Sequence, residues 1–295
     1  MLATMQVGIG LPNTLAGADR ELTLTWARRA DAGPFASLGV FDRLRYHGTE
    51  PLTTLAACAG VTEEITLSTS IVAAPIRNTA WLAKHAATLD VLSDGRLVLG
   101  LALGARKDDY AAADVDFEGR GTRFSRQLAE LRDHWSPGDR SLAEDIGPEP
   151  VQDGGPTILV GGDSDPAFQR VGRYADGYIH GGGPPRAFAS RAERARGAWS
   201  EAGRPGEPAL WGHGYFALGE DADVEAGREY LRDYYAFTGP FAERIAEGLL
   251  TTPHEVLQFL RGYEEASCDE VLLFPTVPGL EQYDRLEALL EDEWR

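Results

Sequence analysis

The chain predicts an α/β fold, a (β/α)8 TIM barrel, and three observations carry that prediction. Apolar strand-like runs alternate with amphipathic helix-like runs from end to end, giving eight strands each followed by helix. The strands are apolar almost throughout, as strands of a parallel sheet are when both faces are buried. The length of 295 residues, 43 % of them apolar, suits a single barrel. A doubly wound open sheet fits less well. Its glycine fingerprint should follow the first strand, but that strand runs into Gly8-Ile9-Gly10-Leu11-Pro12-Asn13. The proline there argues against a helix N-terminus cradling a pyrophosphate. No domain boundary and no short repeat interrupts residues 1–295, so one domain is expected.

Taken in order, the first strand is Gln6–Leu11, with a helix near Asp19–Ala32. Ser37–Phe41 is the second strand, followed by a loop and a helix near Pro51–Ala59. The third strand, Ile65–Ile71, ends in a small-residue loop. Its helix is Thr79–Leu92, and a tight turn leads into the fourth strand, Leu97–Leu103. A helix near Gly121–Trp135 precedes a Pro-, Gly- and Asp-rich loop, Ser136–Pro156. The fifth strand is Thr157–Val160. Its helix opens at Asp165-Pro166, read as an N-cap acceptor followed by proline at the first helical position. Gly177–His180 is the sixth strand with helix Pro185–Ala202, and Ala209–Leu218 is the seventh. Helical runs Val224–Tyr235 and Phe241–Leu249 follow. A further helix starts at Thr252-Pro253-His254-Glu255, which fits a capping box. Glu270–Phe274 is the eighth strand, and helix Leu280–Glu291 closes the barrel.

The formal net charge of −18 argues against nucleic acid and anionic membranes as partners. No run approaches the roughly 20 apolar residues of a membrane span. The first residues lack the basic region and long apolar stretch of a secretory signal, so a cytoplasmic location is expected. Cys58 and Cys268 read as reduced core thiols.

In such barrels the site lies at the C-terminal ends of the strands. That rule selects Asn13, Asp42, Arg43, Ser70, Ile71, Gly104, Arg106, Gly161, Gly162, His180, His213 and Thr276, with His47 and Tyr110 in adjoining loops. The turn Gly161-Gly162-Asp163-Ser164 before a helix N-terminus suits an anion, because backbone N–H groups and the helix dipole point at it. Asp163 and Asp165 flank that turn and would repel a phosphate, and the glycines also suit a plain tight turn. Arg43, Arg45, Arg77, Arg106 and Lys107 fall in loops on one barrel face. They form either an anion-binding rim or ion pairs with acids such as Asp42, Asp108 and Asp109. His47, His180 and His213 lack the close histidine pair and carboxylate of a typical metal site, so no metal is expected. A Gly-x-Ser-x-Gly elbow is absent, which disfavours nucleophilic hydrolysis.

The segment AKHAATLDVLSDGRLVLGLALG (Ala83–Gly104) resembles a run common in the bacterial luciferase-like family of flavin- or deazaflavin-dependent oxidoreductases. Ser37–Arg43, Asp108–Phe124, Gly147–Ser164 and Arg173–Ile179 are similar to that family in order and spacing. The resemblance implies a luciferase-like barrel with a reduced ring, of FMN or of coenzyme F420, in its mouth. With FMN, oxygen would be activated for monooxygenation and a flavin reductase would be a partner. With F420, a hydride would pass directly to or from a small organic substrate. Ser70-Ile71 matches the place where deazaflavin-using members carry a non-proline cis peptide, and Gly161-Gly162 matches the family's phosphate loop. The candidate cofactor-binding residues are therefore Asn13, Asp42, Ser70, Ile71, Gly104, Arg106, Tyr110, Gly161, Gly162, Asp163 and His180. The arginine rim and Ser70-Ile71 lean toward F420. Many members form dimers, although no feature of this chain demands one.

Two departures bear on catalysis. Many members carry a catalytic histidine after the second strand, and this chain has Arg43 there. An arginine cannot act as a general base, so Arg43 would instead orient or stabilise an anionic ring or substrate. His47, four residues on, would supply a proton if its loop is helical. Arg43 and His47 are the candidate catalytic residues. After the fourth strand some deazaflavin members place a glutamate, where Ala105 and Arg106 stand here. The missing histidine also keeps open a non-catalytic flavin- or deazaflavin-binding barrel. A hydrolase or lyase barrel with no flavin affinity is the third reading.

Overall fold

The computed structural model of the chain describes residues 5–136 and 146–294. It runs β1 (Gln6–Gly10), α1 (Arg20–Ala32), β2 (Ser37–Val40), α2 (Pro51–Ala59), β3 (Thr66–Thr69), β4 (Val72–Ala73) and α3 (Thr79–Leu92). Next come β5 (Leu97–Ala102), α4 (Lys107–Ala112), α5 (Arg120–Trp135), β6 (Thr157–Gly161), α6 (Asp165–Tyr174), β7 (Gly177–His180) and α7 (Pro185–Glu201). The last part is β8 (Ala209–Phe216), α8 (Asp221–Tyr234), α9 (Phe241–Glu247), α10 (Pro253–Glu265), β9 (Glu270–Pro275) and α11 (Leu280–Glu293). Neighbouring strands are ordered β3-β2-β1-β9-β8-β7-β6-β5-β4, and β3 also pairs with β5, which closes the ring. Every ladder is parallel, for example Leu38 beside Leu67 and His213 beside Leu272. The fold is thus the expected (β/α)8 barrel, with helices around a closed sheet.

Two short strands make up the third stave. β3 pairs Leu67 with Leu97 and β4 pairs Val72 with Leu101 on the same neighbour, and the cis Ser70–Ile71 peptide lies between them. The expected strand Ile65–Ile71 is therefore divided. Two further expectations need correction. The helix α4 lies where only loop was foreseen. The N-cap of α6 is Ser164, the last residue with extended backbone, so Asp165 is the first helical residue and Pro166 the second, and the Asp165 carboxylate pairs with Arg194 at 2.5 Å instead of capping. Of the loop Ser136–Pro156, residues 137–145 lie outside the described residues.

Local chemistry explains the helix starts. Asp19, Glu50 and Asn78 each accept a hydrogen bond from a backbone N–H in the first turn of α1, α2 and α3. Thr252 and Glu255 form the expected capping box at α10. Packing inside the barrel depends on glycine. A Cβ at Gly10 would overlap the Phe274 ring, and one at Gly100 would overlap the Thr69 carbonyl oxygen. The gap at Gly10 leaves room for the Phe274 ring, which stacks on Phe41 at 3.8 Å across the interior.

At the end of the barrel where the strands begin, buried Glu270 accepts a hydrogen bond from the Ser37 hydroxyl. On the outside, the buried Asp90 carboxylate receives the Val151 and Gln152 N–H groups at 2.8 and 3.0 Å and the Gln152 amide at 2.6 Å. The same amide donates to the Leu97 carbonyl, so the chain returning before β6 is tied to α3 and β5 together. Among the described residues no helix is long and apolar enough to cross a membrane.

Candidate active site

The C-terminal ends of β2 to β8 surround a cavity of about 570 Å3. Phe41, Ile71, Ala102 and Ile179 give it an apolar floor. The Gly161–Ser164 turn forms one wall, and Tyr234, Tyr235 and Phe237 form another. Of the expected residues, Asp42, Ser70, Ile71, Gly104, Arg106, Gly161, Gly162, Asp163, His180 and His213 come together on this lining.

The others lie elsewhere. Asn13 clamps two strand ends: its amide donates to the Phe41 carbonyl at 2.9 Å, and its oxygen accepts from the Phe41 N–H at 3.0 Å. Thr276 donates to the Phe216 carbonyl at 3.1 Å, and buried Tyr110 donates to that of Leu103. The loop carrying His47 is bent, not helical. His47 is exposed, its ring tilted against that of Tyr46 at 4.5 Å, and off the cavity wall, so the condition for its proposed proton transfer is not met. Arg43 is also off the wall. Its guanidinium stacks on Tyr46 at 4.4 Å, donates to the Tyr234 carbonyl at 3.3 Å, and has Asp108 at 3.9 Å.

The arginine rim divides into paired and unpaired members. Arg77 grips Asp42 through both terminal nitrogens, at 2.6 and 2.9 Å, while the Ala73 N–H also donates to Asp42 at 2.9 Å. Those contacts occupy both oxygens of the Asp42 carboxylate. Asp109 accepts from the Arg45 N–H at 2.7 Å. Arg106 and Arg120 line the cavity without a carboxylate partner among the described residues, and each has a buried Nε with no hydrogen bond.

The acidic flanks of the glycine turn are neutralised from α7. Arg191 reaches Asp163 at 3.2 Å, and Arg194 reaches Asp165 at 2.5 Å and the Asp163 carbonyl at 2.9 Å. Ser164 makes no capping hydrogen bond, so its hydroxyl remains free at the start of α6. Gly162 sits at φ +133°, where a side chain is strained, and a Cβ there would lie 2.9 Å from the Ala167 methyl.

His180 and His213 are both buried, with Nε2 unpartnered. His213 Nδ1 pairs with the Ser70 hydroxyl at 3.2 Å, and His180 Nδ1 with the Tyr178 hydroxyl at 3.3 Å. Burial lowers the His180 pKa to about 4, against an opposing pull from Asp163. Burial, with a smaller contribution from His180, lowers that of His213 to about 3. Both rings are neutral at pH 7 and belong to the cavity lining.

Sequence reasoning missed Arg120, Ser164 and the Tyr234, Tyr235 and Phe237 wall. The run Tyr234-Tyr235-Ala236-Phe237 was the available signal, a dense aromatic cluster at the end of a helix.

A barrel with its cavity at the strand ends, a glycine turn at a helix N-terminus and a divided third stave defines a class before any relative is compared. A family profile described as luciferase-like monooxygenase matches residues 5–273. The chain belongs to that family. The pyrimidine monooxygenase RutA of Variovorax paradoxus is 30 % identical over 177 residues, covering 54 % of this chain and 46 % of RutA. The chain spans about half the length of the curated relatives it matches. An F420-dependent secondary alcohol dehydrogenase, solved with an F420–acetone adduct, superposes with a TM-score of 0.80 at 17 % identity, over 98 % of this chain and 100 % of that one. The oxygenating constituent of 3,6-diketocamphane monooxygenase from Pseudomonas putida, solved with FMN, gives 0.71 at 15 % identity, over 99 % and 98 %. At these identities the structural likeness establishes the fold.

Proposed function

We propose that this protein is an oxidoreductase that uses a reduced FMN or F420 ring on a small organic substrate. One observation carries the reading: the same cavity joins an apolar floor of strand ends to a charge-neutralised glycine turn at a helix N-terminus. The residues present fit such a group. Phe41, Ile71, Ala102 and Gly104 would lie against a flat ring, and Gly161, Gly162, Ser164 and Arg120 would take its phosphate-bearing tail. His180 and His213 add two neutral imidazoles to the same lining. When bound, the cofactor supplies the hydride or electron pair. The chain orients it, keeps water out with the aromatic wall, and holds two neutral imidazoles toward the cavity. Solved proteins of both cofactor types share the fold, which supports the class and leaves the choice to experiment.

Titration of the purified protein with FMN, reduced FMN and F420, followed by absorbance and fluorescence, tests this. Micromolar affinity for F420 alone means hydride transfer without oxygen. Preference for reduced FMN means oxygen chemistry, with a separate flavin reductase as partner. Affinity for none of them removes the proposal. Gly162→Val is expected to cost about 2 kcal/mol of stability through backbone strain. It should also weaken the preferred cofactor at least about tenfold, by displacing charge-assisted hydrogen bonds. Unchanged affinity would take the turn out of the site.

A second reading, a barrel that binds the cofactor without turnover, has its own support. Arg43 and His47 are off the wall, and the lining acids Asp42, Asp109 and Asp163 are already engaged. Cofactor affinity with no turnover across aldehydes, enones and sulfonates would select it.

A further inference from the structure

We propose that Arg106 anchors an acidic substrate, a monocarboxylate with an apolar body, at the aromatic wall of the cavity. The proposal rests on the cavity being a substrate site. Arg106 is held rigidly. Its guanidinium lies over the Tyr234 ring at 4.5 Å and the Phe237 ring at 4.3 Å, and one terminal nitrogen donates to the Tyr234 carbonyl at 2.9 Å. Arg43 donates to the same carbonyl from behind. Two guanidiniums thus converge on one acceptor at the C-terminal end of α8, where the helix dipole is negative. Among the described residues the only ion pair within 4.0 Å that either makes is that of Arg43 with Asp108, at 3.9 Å. Most arginines of this acidic chain with a described carboxylate nearby pair with it closely, as Arg77, Arg132, Arg194 and Arg232 do. Arg106 faces the cavity with no such partner, its Nε buried and unbonded. A stacked, partly desolvated guanidinium with unused donors is matched by a carboxylate, which accepts from its planar fork. The floor of Phe41, Ile71 and Ile179 supplies the apolar surface for the rest of the molecule.

The cofactor tail is another source of carboxylate, because F420 carries glutamates and FMN does not, and the test separates the two. Calorimetry on the full chain compares phenylacetate with phenylacetamide and hexanoate with hexanamide. Each acid should bind at least about tenfold more tightly than its amide, the gain of a charge-assisted hydrogen bond. In Arg106→Met the preference should fall to within about twofold, with amide affinity unchanged. Arg106→Lys, which keeps the charge and loses the fork, should retain part of it and covers the case in which Arg106→Met does not fold. Equal binding of acid and amide to the wild type, no saturable binding of either acid, or a preference that survives both substitutions overturns the proposal. So does a result in which Arg106→Met weakens F420 alone, since that assigns Arg106 to the cofactor tail. If the wild type binds neither FMN nor F420 but prefers acids through Arg106, the oxidoreductase reading fails and the acid site stands.

Discussion

Between pH 6.5 and 4.5 the protein is expected to lose about 2 kcal/mol of stability to His213, and His213→Phe to recover it. The folded pKa is about 3, well below the ordinary value of 6.5, because the ring is buried in the barrel interior. In this window the unfolded chain takes up a proton that the native state refuses. Stability is therefore fully present above pH 6.5 and drains as the pH falls toward 3. Each depressed group contributes about 1.4 kcal/mol per pH unit once the unfolded imidazole is protonated. His180, lowered to about 4, adds a second contribution of the same sign. Phenylalanine keeps the ring that packs edge-on against Phe41 and Phe274. Urea unfolding at pH 7.5, 6.5, 5.5 and 4.5 measures the slope, and an identical slope in wild type and His213→Phe would show that His213 is not the source.

Glu270→Gln is expected to gain about 3 kcal/mol over wild type at pH 8 and nothing at pH 4. Burial raises the Glu270 carboxyl to about 7 from an ordinary 4.5, despite the Ser37 hydroxyl that favours its charged form. Here the sign reverses. The native state keeps a proton that the unfolded chain releases, so stability is greatest below pH 4.5, falls as the pH rises, and levels off above 7. Glutamine resembles the protonated acid and removes that decline. Glu270 opens β9 at the end of the barrel opposite the cavity, so cofactor affinity should not change. An equal difference between the two proteins at pH 4 and pH 8 would mean that the carboxyl is charged throughout. In the wild type the two trends oppose each other from pH 6.5 to 4.5. The histidines together outweigh Glu270 there, leaving a net loss on acidification of about 1.4 kcal/mol per pH unit.

The architecture was legible because each stave announces itself locally. Runs such as Leu97–Ala102 are apolar on both faces, and Thr252-Pro253 and, to within one residue, Asp165-Pro166 mark where helices begin. The site was legible to the extent that it follows from strand ends, which is why Ser70, Gly104, Gly162 and His180 were selected together. What failed was anything decided by a distant partner. The charge on the glycine turn could not be judged from Asp163 and Asp165, because Arg191 and Arg194 arrive from α7, 28 and 29 residues later. Likewise Arg43 stands in the expected position after β2. Its direction is set by Tyr234, 191 residues away, which draws it behind the wall. The same wall gives Arg106 its face on the cavity, although nothing in its own neighbourhood distinguishes it from Arg45 or Lys107. Residue type and position along a strand are local properties, whereas orientation within a site belongs to the packed whole.

The Asp90 carboxylate that receives Val151 and Gln152 has an evolutionary consequence. It holds the incoming chain at a set place on the barrel regardless of the path taken to reach it, and Trp135, packed beneath Gly155, marks the departure point. Segments of different length can therefore be exchanged between those two anchors while the register of β5 on β6 stays the same. Such a joint lets a lineage try new loops without rebuilding its barrel, and it marks the place where a grafted sequence should be tolerated best.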